Sequence, residues 1–120
     1  MPCKANIRNV GDVAIVDLSG RITLGDGSGV VRETVKDILR GGKKNLLLNL
    51  GDVSYIDSSG LGEFVSAYAT CASQGGQIKL LNVQTRVRDL LQITKLYTVF
   101  ESFTSETDAV RSFVPKAASV

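Results

Sequence analysis

The side chains of this 120-residue chain whose types and spacing could do chemistry stand together in one stretch, Asp57-Ser58-Ser59-Gly60-Leu61-Gly62. The stretch opens a helical pattern, so its hydroxyls sit over backbone N–H groups that lack intrahelical partners, at the positive end of the helix dipole. Such a place suits an anion or a docked polar group. A plain N-cap uses the same residues and is worth about 0.5–2 kcal/mol. Two features ask for more than a cap. Gly60 and Gly62 lie inside the first turns, where each costs roughly 1 kcal/mol relative to alanine, so the core or a partner must come very close. From Leu61 to Gln74 the only charge is Glu63. With a buried stripe read as Leu61, Phe64, Val65, Tyr68, Ala69 and Ala72, the outward positions are Ser66, Ala67, Thr70, Cys71 and Ser73, a low-charge surface of small residues suited to close docking.

The rest of the chain narrows what those hydroxyls can do. It contains no histidine, which removes Ser-His-Asp and Cys-His activation and imidazole acid-base catalysis. Cys3 and Cys71 lie far apart without CxxC spacing, so reduced thiols are expected rather than a disulfide or a zinc site, and no metal or cofactor is expected. The loop Leu24-Gly25-Asp26-Gly27-Ser28-Gly29 follows a strand and opens a helix, yet it lacks the GK[ST] ending of a P-loop and does not fit GxGxxG. Asp26 would also repel phosphate. A receiver-type phosphoaspartate site at Asp57 lacks its acidic pair: Asp17 stands alone. Lys and Arg number 14 against 12 Asp and Glu, for a net charge of +2, and the basic residues are scattered. That leaves no footprint for nucleic acid.

The elements that must position the stretch follow from patterning. Ala5–Val10 and Val13–Leu18 are apolar-rich runs around Gly11-Asp12, an opening antiparallel hairpin with its first strand at an edge. Val31, Val35, Ile38 and Leu39 mark the buried face of a first helix, ended by Gly41-Gly42. Asn45–Leu50 reads as a strand buried on both faces, and Gly51–Gly60 leads from it into the second helix. That helix closes at Gly75-Gly76. Gln77–Leu81 is a further strand, and Val87, Leu90, Leu91 and Thr94 give a third helix face. Extended chain over Val99–Phe103 precedes Ser105-Glu106-Thr107-Asp108, a capping-box-like start for a last helix with Ala109, Val110 and Phe113, stopped by Pro115. A strand-helix-strand crossover runs parallel and right-handed. The glycine loop and the Asp57 stretch therefore share the edge where open α/β sheets build their sites.

Length and composition fit one domain: 43% of residues are hydrophobic and 22% charged. The domain is expected over residues 1–114, with 115–120 a small tail compatible with disorder. No apolar run approaches the roughly 20 residues of a membrane span, and the first residues lack an export signal, so a cytoplasmic protein is expected.

The stretch Val53-Ser54-Tyr55-Ile56-Asp57-Ser58-Ser59-Gly60-Leu61-Gly62, with Gly75-Gly76 and the segment from Leu81-Asn82-Val83 to Leu90-Leu91-Gln92-Ile93-Thr94, resembles the STAS domains of bacterial anti-sigma factor antagonists. The resemblance spans residues 5 to 114 in element order. It implies an α/β fold, a single STAS domain with a mixed β-sheet opened by a hairpin and about four helices. It also implies a binding switch without catalysis of its own. Ser58 matches the phosphoacceptor, with Ser59 the alternative. The unmodified form would capture an anti-sigma factor that is itself a serine kinase, freeing a sigma factor; phosphorylation would release it and a phosphatase would reset it. A homodimer is compatible with this. Docking would involve Asp57, Ser59, Gly60, Leu61, Gly62 and Glu63, with Asp26 and Gly27 of the loop as a second contact. Asp57 would position the Ser58 hydroxyl or touch the partner. Asn49 is neutral where many members carry an acid. The alternative within the family is a scaffold module of a stress-signalling or lipid-transport complex.

Overall fold

The computed structural model describes residues 3–25 and 27–113. Asp26, Pro115 and the 115–120 tail lie outside the described residues. The element order is β1 (Lys4–Val10), β2 (Val13–Ile22), α1 (Ser28–Arg40), β3 (Asn45–Ile56), α2 (Ser58–Ser73), β4 (Gln77–Leu81), α3 (Thr85–Ile93), a 3-10 turn (Leu96–Thr98), β5 (Ser102–Phe103) and α4 (Glu106–Arg111). One mixed sheet has the order β1-β2-β3-β4-β5. β1 and β2 form the expected hairpin, with Val10 opposite Val13, and β1 is an edge. β2 to β5 all run parallel.

Strand alternation sorts the core into two. Ala14, Val16 and Leu18 of β2, with Leu46, Leu48 and Leu50 of β3, face α1, α2 and α3 and form the larger cluster. Val13, Ile15, Leu47 and Leu81 point to the other face, where Ala109 and Phe113 cover them. On that face Lys79 is buried: its ammonium donates to the Ser112 carbonyl at 3.0 Å and hydroxyl at 2.8 Å, and lies 4.8 Å from the Phe113 ring centre. Arg8 bridges Asp17 and Glu106 there, and the guanidinium holds the Asp17 carboxyl below its ordinary range. Asn49 donates its amide to Asp17 at 2.8 Å and accepts from the Gly51 N–H at 3.1 Å. An acid at 49 would face the Asp17 carboxylate with like charge, which accounts for the neutral residue.

Several expectations change. β2 runs to Ile22 instead of stopping at Leu18, because Gly20 at φ +93 absorbs a bulge that the sequence shows only as Ser-Gly-Arg. β3 likewise continues past Leu50 to Ile56, pairing with the extra length of β2. Ser28 and Gly29 belong to the first turn of α1 instead of the loop, and at its end the left-handed residue is Gly42, at φ +99, while Gly41 stays helical. The largest correction concerns α2. Its buried residues are Gly60, Leu61, Phe64, Ala67 and Cys71, whereas Val65, Tyr68, Ala69 and Ala72 are exposed. Ala67 and Cys71 therefore move from the outward face to the core.

Candidate functional site

β3 ends at Ile56 and the chain turns directly into α2, with Asp57 as the N-cap in extended geometry. The cap joins two segments. One carboxylate oxygen accepts from the Gly60 N–H at 3.0 Å and the other from the Leu24 N–H at 3.2 Å, while the Asp57 N–H donates to the Ile22 carbonyl at 3.2 Å. The Gly60 amide chiefly, together with those of Leu24 and Ser59, holds the Asp57 carboxyl below the usual carboxylate range. The carboxylate thus fastens the end of β2 to the start of α2. Ser58, the first residue of α2, is exposed and its hydroxyl makes no hydrogen bond among the described residues. Ser59 is half-buried.

The two glycines of the turn answer to different neighbours. A Cβ at Gly60 would strike the Ile22 carbonyl oxygen and lie 2.7 Å from Ile22 Cγ2 and 2.8 Å from Ile56 Cγ1. The sheet itself demands that glycine. A Cβ at Gly62 would meet nothing within 4 Å. Leu61 is only 3% exposed, so it anchors the turn from the core, and Gly60 is buried too. Exposed Gly62, Val65, Ser66, Ala69 and Ser73 continue from Ser58 along one face of α2 at helical spacing. No charged side chain interrupts them.

Glu63 turns aside toward α1. Its Oε2 lies 3.6 Å from Arg32 Nε without a hydrogen bond, over a cleft of about 220 Å³ lined by Val35, Leu39 and Ala67. Gly27 caps α1 at φ +120, buried where a Cβ would meet Arg21 backbone and, at 2.9 Å, the Cys3 side chain. The loop is brought beside the α2 N-terminus by the Leu24–Asp57 bond, as expected; Leu24 itself, 79% exposed, was not singled out by the sequence.

Chemically, the arrangement offers an exposed hydroxyl at an anion-tolerant helix end, and the neighbouring Asp57 carboxylate is engaged by amides and weakly basic. Cys71 is buried and its thiol is pushed up to about 11 by that burial. Among the described residues no cluster of three or more His, Cys, Asp or Glu could hold a metal ion, and no helix is long and apolar enough to cross a membrane.

Comparison with known proteins agrees with the geometry. The STAS domain profile matches residues 4–109. An anti-sigma-B factor antagonist of Bacillus subtilis is 36% identical over 86 residues, 72% of this chain and 77% of the relative. A crystal structure of a candidate anti-sigma factor antagonist from Thermotoga maritima superposes with a TM-score of 0.85 at 24% identity, covering 92% of this chain and 95% of the other. The Bacillus protein SpoIIAA in its phosphorylated form has the same fold, with a TM-score of 0.71 at 20% identity, covering 91% of this chain and 99% of its own.

Proposed function

The chain belongs to the STAS domain family, and from that premise we propose that it is an anti-sigma factor antagonist switched by phosphorylation of Ser58. The observation that carries this reading is the exposed Ser58 hydroxyl at the start of a charge-free outward face of α2, with Gly62 open one turn further on. Unmodified, that face docks on an anti-sigma factor that is a serine kinase, and a sigma factor is freed. The kinase then transfers the γ-phosphoryl group of ATP to Ser58 Oγ: the bond from γ-phosphorus to the β,γ-bridging oxygen breaks, the new P–O bond forms, ADP leaves and the hydroxyl proton passes to the kinase or to water. A phosphatase hydrolyses the ester and restores the docking form.

The physics supports a change in binding with little change in fold. Phosphate adds about −1.5 to −2 charges and three acceptor oxygens. In the free domain these sit at a helix N-terminus, where amides and dipole favour an anion. In a closed interface the same group must be desolvated beside Asp57, and a penalty of about 3 kcal/mol weakens binding more than a hundredfold. Asp57, Ser59 and Gly62 line the proposed docking surface directly. Gly60, Leu61 and Gly27 shape it from beneath, and Glu63 flanks it.

The test uses the full chain as bait for the ATP-binding anti-sigma kinases of its own organism. Wild type should retain one of them and, with ATP and Mg²⁺, gain one phosphate at Ser58 by mass spectrometry. Ser58→Ala should still bind without being modified. Ser58→Asp should bind at least a hundredfold more weakly while melting within about 2 °C of wild type. A modification confined to Ser59, or a Ser58→Asp variant that binds like wild type, would overturn the assignment.

A further inference from the structure

We propose that Leu24 is a docking residue for the anti-sigma partner and that Asp57 couples its placement to the state of Ser58. The inference rests on the reading of Ser58 as phosphoacceptor and adds the residue through which modification is transmitted beyond the helix. Single exposed leucines are common on protein surfaces and by themselves mean little. Leu24 is distinguished by how its backbone is held. Its side chain is 79% exposed, yet its N–H donates to the Asp57 carboxylate at 3.2 Å, one residue before Ser58.

Described residues near it are tied as well. Thr23 bridges Gly27, and the Ser28 N–H donates to the Thr23 carbonyl at 3.3 Å. One peptide earlier in the chain, the Asp57 N–H donates to the Ile22 carbonyl and Gly60 lies close against Ile22. A large apolar side chain is therefore carried on backbone tied to the residue that precedes the modifiable hydroxyl. That arrangement fits a partner surface with an apolar pocket next to the place where it receives Ser58. A rigidly placed leucine enters such a pocket with little further loss of backbone freedom.

The coupling follows from how Asp57 is shared. Its two carboxylate oxygens serve two amides, Gly60 in the helix and Leu24 in the turn. A phosphate on Ser58 competes for the amides of the first helical turn and repels the adjacent carboxylate. Displacing that carboxylate removes the acceptor of the Leu24 N–H, and the leucine loses its fixed position. Phosphorylation then acts twice, by charge at Ser58 and by loss of preorganisation at Leu24.

Two measurements on the full chain test this. In the first, phosphoserine is incorporated at position 58 during synthesis, and amide exchange and ¹⁵N shifts are compared with the unmodified chain. The Leu24 amide should exchange at least tenfold faster and shift more than any amide outside the first turn of α2. Unchanged exchange and shift at Leu24 would overturn the coupling. In the second, Leu24→Ser and Leu24→Met are titrated with the kinase retained by the wild-type chain. Leu24→Ser should bind at least tenfold more weakly with an unchanged melting temperature, and Leu24→Met should restore most of the affinity. Equal affinity of Leu24→Ser and wild type would overturn the docking role while leaving the phosphorylation switch intact. A wild-type chain that retains no kinase would instead overturn the switch, and the docking role with it.

Discussion

Replacing Gly62 with alanine should make this domain more stable and its partner capture weaker, an uncommon pair of effects for one methyl group. Gly62 lies inside α2, where alanine is favoured over glycine by about 0.8–1 kcal/mol. Because a Cβ there meets no heavy atom within 4 Å, no clash offsets the gain. Unfolding entropy of roughly 2 cal/mol/K per residue amounts to about 0.25 kcal/mol/K for a chain of this size, so the melting temperature should rise by about 3–4 °C. In the complex the methyl group would occupy space taken by the docked chain. Overpacking of this kind costs about 1–3 kcal/mol, equivalent to roughly 5- to 150-fold in Kd. Thermal unfolding by circular dichroism and titration with the retained kinase read the two effects separately. A melting temperature that stays level or falls would show that the domain itself needs the glycine. A raised melting temperature with unchanged Kd would show that docking does not pass over Gly62.

Gly60→Ala should do the reverse. Its Cβ is driven against the Ile22 carbonyl, which cannot yield without lifting α2 from β2, and a loss of about 2–4 kcal/mol is expected, seen as a fall of roughly 8–15 °C in melting temperature. A variant melting like wild type would refute the contact. Acid should also weaken the fold in a defined window. Asp57 and Asp17 are both held below the ordinary carboxylate range, so the stability they contribute is complete above their unfolded value near 4 and is lost as pH falls below it through their folded values. Urea midpoints measured between pH 7 and pH 3 should be flat down to about pH 5 and then drop. In Asp57→Asn the drop should be shallower, and a variant curve parallel to wild type would remove Asp57 from the account.

The order of the main elements, the hairpin, the parallel crossover from β2 to β3 and the placement of the Asp57 stretch at the start of α2 were legible in the sequence, because each rests on a local signal of spacing or turn chemistry, whereas the extended chain expected over Val99–Phe103 shrinks to Ser102–Phe103 behind a 3-10 turn. The phase of α2 was not. Apolar and small residues run nearly all the way round this helix, so Val65, Tyr68, Ala69 and Ala72 offer as good a stripe as Gly60, Phe64, Ala67 and Cys71. In the fold Gly60 packs against Ile22, so this face of α2 turns to the sheet, a contact between residues 38 positions apart that no window contains. The length of β2 and β3 was hidden similarly: Gly20 and Gly51 lie just past the apolar runs that end at Leu18 and Leu50, yet the two strands carry each other through those points. Asp57 is singled out in the sequence by type and place, but its bond to Leu24 is a tertiary fact. The same holds for Asn49, whose neutrality makes sense only beside Asp17.

The strand order β1-β2-β3-β4-β5 follows the chain without a skip. No strand has to be threaded between two already joined, so the sheet can grow outward in the order in which the ribosome delivers it. Ile22, Leu24, Asp57 and Gly60 all belong to the first half of the chain. The framework around Ser58 can therefore begin to assemble as soon as β3 has found β2, while β4, β5 and α4 are still to come.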